Sequence, residues 1–523
     1  MKTRGKLCFA GLTVLLVLLQ VSCGGKSGGS AGPASSALMD PKTPVTITYW
    51  YPLNAGSNTE ADLHGPGMDK VFEATGVTVQ WQAIPAAGTV EQYNLLMASG
   101  DLPDVVAYNI RGLKEYNQAF LAVDDLILNN PGRYPNLIKY VFNDDYLDAY
   151  LRNDDNKLRI IPMLATRRIG DILILRQDLL QKYNGGVSPV TVDDWYKLFT
   201  AAKADGKTPW MTRQQRAGIL YRLLAGYMDC VIEDYFVEDG VVKYGVLDPR
   251  LKEGVEIARK WYAEGLIDQE YPSTDSTRWW EAVLRGDVFA FHDNIQRIAS
   301  ANNDYINNQN NAPYRVMGVG PIQSPRTGER HTAIHYPRVR DKSASIALSA
   351  KNPERILDFF EYCFTEEGFI LMNLGIEGQS FNYVDGVPFL DPTYSTRVTR
   401  GEVPPIGSTM DMVKNQRDEL FFDYNDPERE DHRLTREARD LYMNNDFIQE
   451  NWIPSLSFTN EERAALAPLN AELNTYRGEM LDKFIMGVEP MSSWDSFVAQ
   501  IQKMNLDTAL KIHQDALDRM FKK

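Results

Sequence analysis

Cysteine is scarce in this chain: four residues in 523 exclude a small fold stapled by disulfides. Cys8 and Cys23 lie in the N-terminal leader and at its exit, so only Cys230 and Cys363 remain to pair. Both sit in apolar helical contexts, where two buried free thiols are the plainer reading. Long apolar runs are missing too. Beyond the first 19 residues no segment approaches the roughly 20 apolar residues that cross a bilayer. Positive charge is in deficit, with 55 Lys and Arg against 70 Asp and Glu, which speaks against nucleic acid as a partner.

Histidine is rare as well, with six residues. His331 and His335 have the i, i+4 spacing of a zinc-binding helix, but no Glu follows the first of them and Pro337 comes almost at once. Asp423, Asn425 and Asp426 match the opening of a calcium loop until Pro427 and a missing central Gly break it. There is no phosphate-binding Gly-Lys loop, no G-x-S-x-G elbow and no C-x-x-C pair. No cofactor and no metal are expected.

What is present begins at the N-terminus. Lys2, Arg4 and Lys6 precede an apolar run from Leu7 to Leu19 and a small-residue exit at Cys23, the order of a secretory signal over residues 1–22. The exit resembles the lipobox of bacterial lipoproteins, with Gln20 where that pattern usually has Leu. It implies acylation of Cys23 and an anchor on the outer face of the membrane. Residues 23–43 then form a tether rich in Gly, Ser, Ala and Pro. Losing a leader with three positive and no negative side chains takes the formal charge from −15 to −18.

The remainder is 44% hydrophobic and 24% charged, enough for two large lobes. From Val45 the pattern runs strand, helix, strand, helix, strand. Val45, Ile47 and Tyr49 alternate with Thr46, Thr48 and Trp50, Gly76 and Gly100 stop two helices, and Val105 to Tyr108 is an apolar strand. Such alternation builds a mostly parallel α/β sheet. A second α/β unit follows Arg159, with a strand over Ile172 to Leu175 and a capping box at Thr191 and Asp194. Asp248 caps a helix with Pro249 in its first turn, and Thr459 with Glu462 opens a long helix that ends at Gly487.

Ile47–Trp50, Ala98–Asp104, Leu175–Leu179, Leu247–Pro249, Glu264–Asp268, Phe364–Gly368, Gly375–Gly378, Leu473–Tyr476 and Met504–Asp507, in that order and spacing, resemble extracellular solute-binding proteins of ABC importers. The likeness is to the maltose-binding type and its lipoprotein, alginate-binding-like branch. It implies an α/β two-lobe periplasmic-binding-protein-like fold of type II with three interlobe crossings, near Ile160, Val288 and Ser349, and a helix-rich C-terminus. Residues 44–160 plus 288–348 would form lobe 1, and 161–287 plus 349–523 lobe 2. The implied function is capture of an oligosaccharide between the lobes by hinge closure and its transfer to membrane permease subunits, by a monomer.

Sugars present apolar faces and hydroxyl rims, so their sites combine aromatic platforms with amide, carboxylate or guanidinium groups. The resemblance places cleft contacts at Trp50, at Tyr108 with Asn109, and at Trp210. Trp50 reads equally well as a strand residue packed under a helix. Arg111 is placed to bind a carboxylate. Arg167, Arg168 and Arg176 cluster around the first strand of lobe 2 and would suit a uronic acid, although Arg176 has Asp178 nearby as a partner. Trp279, His292, Tyr336, Arg338 and Glu377, the last in a Gly-flanked turn, complete the candidates. Two rivals remain: a surface-anchored glycosidase or lyase, which would need two carboxyls across a sugar, and a ligand sensor without a transport role.

Overall fold

The computed structural model describes residues 43–53, 63–164, 171–302, 314–332, 342–384, 387–391, 430–445 and 456–521, with short pieces between them. Cys23, Arg167, Arg168, His335, Tyr336, Arg338, Asp423, Asn425 and Asp426 lie outside the described residues.

The first sheet is built from β1 (Val45–Pro52), β2 (Val77–Ile84) and β3 (Val105–Tyr108), with β1 parallel to both neighbours. Helix α1 (Pro66–Thr75) leads into β2, and α2 (Thr89–Ser99) leads toward β3. Both helices end as the sequence predicts, at Gly76 and Gly100 in the left-handed conformation that glycine adopts without a Cβ penalty. Asp104 fastens β3 to β1: its carboxylate accepts from the Thr48 backbone N–H and hydroxyl, both at 2.8 Å, and its own N–H donates to Thr48 Oγ1. The expected two-faced alternation of β1 holds only for its first half. From Tyr49 to Pro52 every residue is buried, because β1 is central and covered on both faces.

The second sheet has the order β5 (Thr208–Trp210), β8 (Val288–Asn294), β4 (Asp171–Arg176), β9 (Val316–Val319). Strand β4 is antiparallel to β8 and β9, and β5 is parallel to β8. Between β5 and β8 in the chain lies the hairpin of β6 (Tyr235–Glu238) and β7 (Val241–Tyr244). Strand β10 (Ser343–Ile346) returns to the first sheet, antiparallel to β3.

Sheet membership differs from the expected boundaries at two places. Val288–Asn294 and Val316–Val319 hydrogen-bond to β4, so they join the second sheet and not the first. Helix Pro353–Cys363 buries Ile356, Leu357, Phe359 and Phe360 in the core around the first sheet, not the second. Apolar composition is common to every candidate strand and helix here, so patterning could not say which sheet each would join. Thr191 and Asp194 make the predicted capping box, as do Thr459 and Glu462 at the head of the helix Asn460–Met486. That helix packs its Leu466, Leu473, Leu481 and Phe484 into the core of the second sheet. Cys230 and Cys363 are both buried, and neither is in a disulfide among the described residues. No helix among the described residues is long and apolar enough to cross a membrane.

Candidate ligand-binding site

Helix α3 (Ile110–Glu115) starts where β3 ends. Asn109 caps it, its side-chain oxygen accepting from Gly112 N–H at 2.9 Å. Beneath lies an aromatic cluster in which Tyr93 and Tyr108 stack with ring centroids 3.7 Å apart and Trp50 meets both. Tyr93 donates its hydroxyl to the Gly112 carbonyl at 2.9 Å, and a Cβ on Gly112 would overlap the Tyr108 ring, so only glycine lets α3 sit this close. Trp50 and Tyr108 are therefore buried supports of α3, and Asn109 is its cap.

Beside α3 opens a cavity of about 910 Å³, within the range of small-molecule sites. One wall is Arg111, Lys114, Asn117 and Gln118 with Asn153 and Asp154 after the helix Asp145–Leu151; the other includes Phe458, Asn460, Arg463, Asn470 and Asn474, at and just before the helix Asn460–Met486, and His513. The first wall belongs to the core of the first sheet and the second to that of the second sheet. Phe458 meets His513 edge-on at 5.2 Å, and Tyr235 stacks on that imidazole at 3.9 Å. Amides dominate the polar lining, through Asn117, Gln118, Asn153, Asn460, Asn470 and Asn474. Each amide carries both donors and an acceptor, the pairing a sugar hydroxyl requires.

Electrostatically, the wall at α3 is unusual. Lys114 Nζ is buried and donates to the Tyr150 carbonyl at 2.6 Å, and burial pushes its ammonium down to about 7, against a smaller opposing pull from Asp154. Asn153 is buried with neither side-chain polar atom hydrogen-bonded.

Of the residues nominated by sequence that are described, only Arg111 lines this cavity, and it is exposed. Arg176 holds Asp178 through two hydrogen bonds of 2.7 and 2.6 Å, donates to the Gly286 carbonyl, and lies over the Tyr314 ring. Trp210 and Trp279 are fully buried, Trp210 against His292 and Trp279 against Phe291. His292 bonds Thr212 at 2.9 Å, and burial pushes its imidazole down, toward the neutral form. Glu377 is exposed on its turn, away from the cavity lining. The residues that sequence reasoning passed over, Lys114 and Asn153 above all, carry no local motif. The one available signal was a lysine on an otherwise apolar face, beside Ile110 and Leu113.

A family model described as bacterial extracellular solute-binding protein matches residues 55–368. The chain is 21% identical over 350 residues to lipoprotein LipO of Bacillus subtilis (strain 168), a match that spans 62% of this chain and 65% of LipO, just under two thirds of that protein. It is 22% identical over 549 residues to the fructooligosaccharide ABC transporter substrate-binding protein FusA of Streptococcus pneumoniae serotype 4, covering 97% of each. Among solved structures, the alginate-binding protein AlgQ2, determined without calcium ion, superposes with a TM-score of 0.68 at 22% identity, covering 92% of this chain and all of that one. The fold is thus the α/β periplasmic-binding-protein-like architecture. Because the family match runs through both sheets, from just beyond β1 to beyond β10, the chain belongs to the bacterial extracellular solute-binding proteins and is a binding protein, not an enzyme.

Proposed function

We propose that the chain is the substrate-binding component of an ABC importer, that it captures an oligosaccharide in the cavity beside α3, and that acylated Cys23 holds it at the outer membrane face. The observation that carries this reading is the cavity itself: about 910 Å³, rimmed by six amides and aromatic rings, between the cores of two sheets. A cavity walled from two cores closes when the cores rotate toward each other, which commits the ligand and exposes a closed surface to a permease. In this reading residues 44–160 with β10 and helix Pro353–Cys363 form one lobe. The second sheet with helix Asn460–Met486 forms the other. A relative named as a fructooligosaccharide ABC transporter substrate-binding protein and a relative named as a lipoprotein support the two parts of the proposal.

The test is a thermal-shift and calorimetric screen of the mature chain against neutral and acidic oligosaccharides. A bound class should raise stability by about 2.7 kcal/mol at a hundredfold excess over Kd and be recovered chemically intact. No stabilisation and no binding heat with any saccharide would sink the proposal.

A further inference from the structure

The cavity wall at α3 holds two buried polar side chains that the protein leaves short of partners. Lys114 is 9% exposed, and the Tyr150 carbonyl takes one of the three protons of its ammonium. The Tyr150 ring, 5.4 Å from Nζ, adds a weak cation–π attraction. Among the described residues no carboxylate lies within ion-pairing distance of Nζ. Asn153 is 7% exposed, and its Oδ1 and Nδ2 are both without a hydrogen bond, although its backbone N–H donates to the Lys157 carbonyl. Groups buried in this way are costly unless something supplies the missing partners.

The charges around Lys114 sort by depth. Glu115, Asp154 and Glu461 line the same cavity but are exposed to water, and Asp154 already accepts from Asn117 at 3.1 Å. Arg463 is spent on the Phe458 carbonyl and Asn460. His513 bonds the Ala509 carbonyl, and burial pushes its imidazole down. Arg111, one turn before Lys114 on α3, lines the same cavity as an exposed cation at the rim. Among the described residues, the buried charged group of this lining is therefore the Lys114 ammonium, which has no carboxylate within ion-pairing distance and only the exposed Asp154 drawing on it.

Building on the carbohydrate-capture reading, we propose that the cavity selects an acidic oligosaccharide, a uronate whose carboxylate is bound by Lys114 with Arg111 at the rim, while Asn153 pairs with an adjoining hydroxyl. A carboxylate is an acceptor-only group and matches the unused ammonium protons; a neutral sugar would leave that charge uncompensated. Affinity then follows the protonation of Lys114. With its ammonium pushed down to about 7 in the free protein, entry of a carboxylate takes up a proton as the pH rises above that value, so affinity is highest below it and falls above.

Isothermal titration of the mature chain with trimers of galacturonate and of mannuronate, each beside its methyl ester, tests this at pH 6.5 and 8.5. At least one acid should bind about tenfold more tightly than its ester at pH 6.5, and that margin should shrink by about tenfold at pH 8.5. Lys114→Gln should erase the margin, and Arg111→Ala, at an exposed position, should reduce it about threefold without altering thermal unfolding. Equal binding of acid and ester, or a margin indifferent to pH and to both variants, would overturn the acidic-ligand inference and leave oligosaccharide capture standing. Failure of every acidic trimer alongside binding of a neutral oligosaccharide would do the same. Failure of all saccharides would overturn the underlying reading as well.

Discussion

Two buried cations follow the ends of strands in the two sheets, and they have opposite surroundings. Arg176 at the end of β4 is 7% exposed and meets Asp178 bidentately, a carbonyl and an aromatic ring. Lys114, on the helix after β3, is 9% exposed and has one carbonyl and the Tyr150 ring but, among the described residues, no carboxylate within ion-pairing distance. Burial is almost equal, so burial alone does not tell a structural cation from a binding one. The difference lies in what the protein has already supplied. Arg176 is complete and has nothing left for a ligand, whereas Lys114 is incomplete.

The largest test of that contrast is to unmake the complete pair. Asp178→Ala would strand a buried guanidinium and should cost about 3–5 kcal/mol in urea unfolding while leaving ligand affinity of the folded protein unchanged. A small stability loss with a large affinity loss would move Arg176 into the binding site and dissolve the comparison. Next in size is the incomplete cation. Because the folded state depresses the Lys114 ammonium to about 7, its burial cost is fully present below that pH and is relieved as pH rises from 7 toward the unfolded lysine value near 10.4. Lys114→Met should therefore raise the ligand-free stability at pH 7 by about 1–2 kcal/mol and abolish the rise between pH 7 and 10. A destabilised variant with an unchanged pH profile would show that Lys114 is satisfied after all. Smallest is Arg111→Ala, expected to change unfolding by less than about 0.5 kcal/mol because the side chain is exposed. A larger loss would give Arg111 a structural partner and remove it from the rim.

Much of the local structure was legible in the sequence. Gly76 and Gly100 end their helices, Asp248 caps the helix Pro249–Ala263, and both capping boxes form, since each depends on groups within three or four residues. The candidate site was far less legible. Trp210, Trp279 and His292 were nominated for their chemistry, yet each is buried, because an aromatic ring serves a core as readily as a ligand. The cavity draws residues from around 111–118, 153–154, 453–474 and 513, and no local pattern links segments so distant in the chain.

The amino-acid sequence by itself determined the elements and their order: alternation and capping act over a few residues, and local sterics and hydrogen bonds are enough to set them. Only the tertiary structure decided that Val288–Asn294 pairs with β4, that Arg176 finds Asp178 while Lys114 finds no carboxylate among the described residues, and that a cavity opens beside α3. Those outcomes depend on which apolar faces meet across long stretches of chain. The energy of a buried charge is then set by the neighbours that the meeting provides.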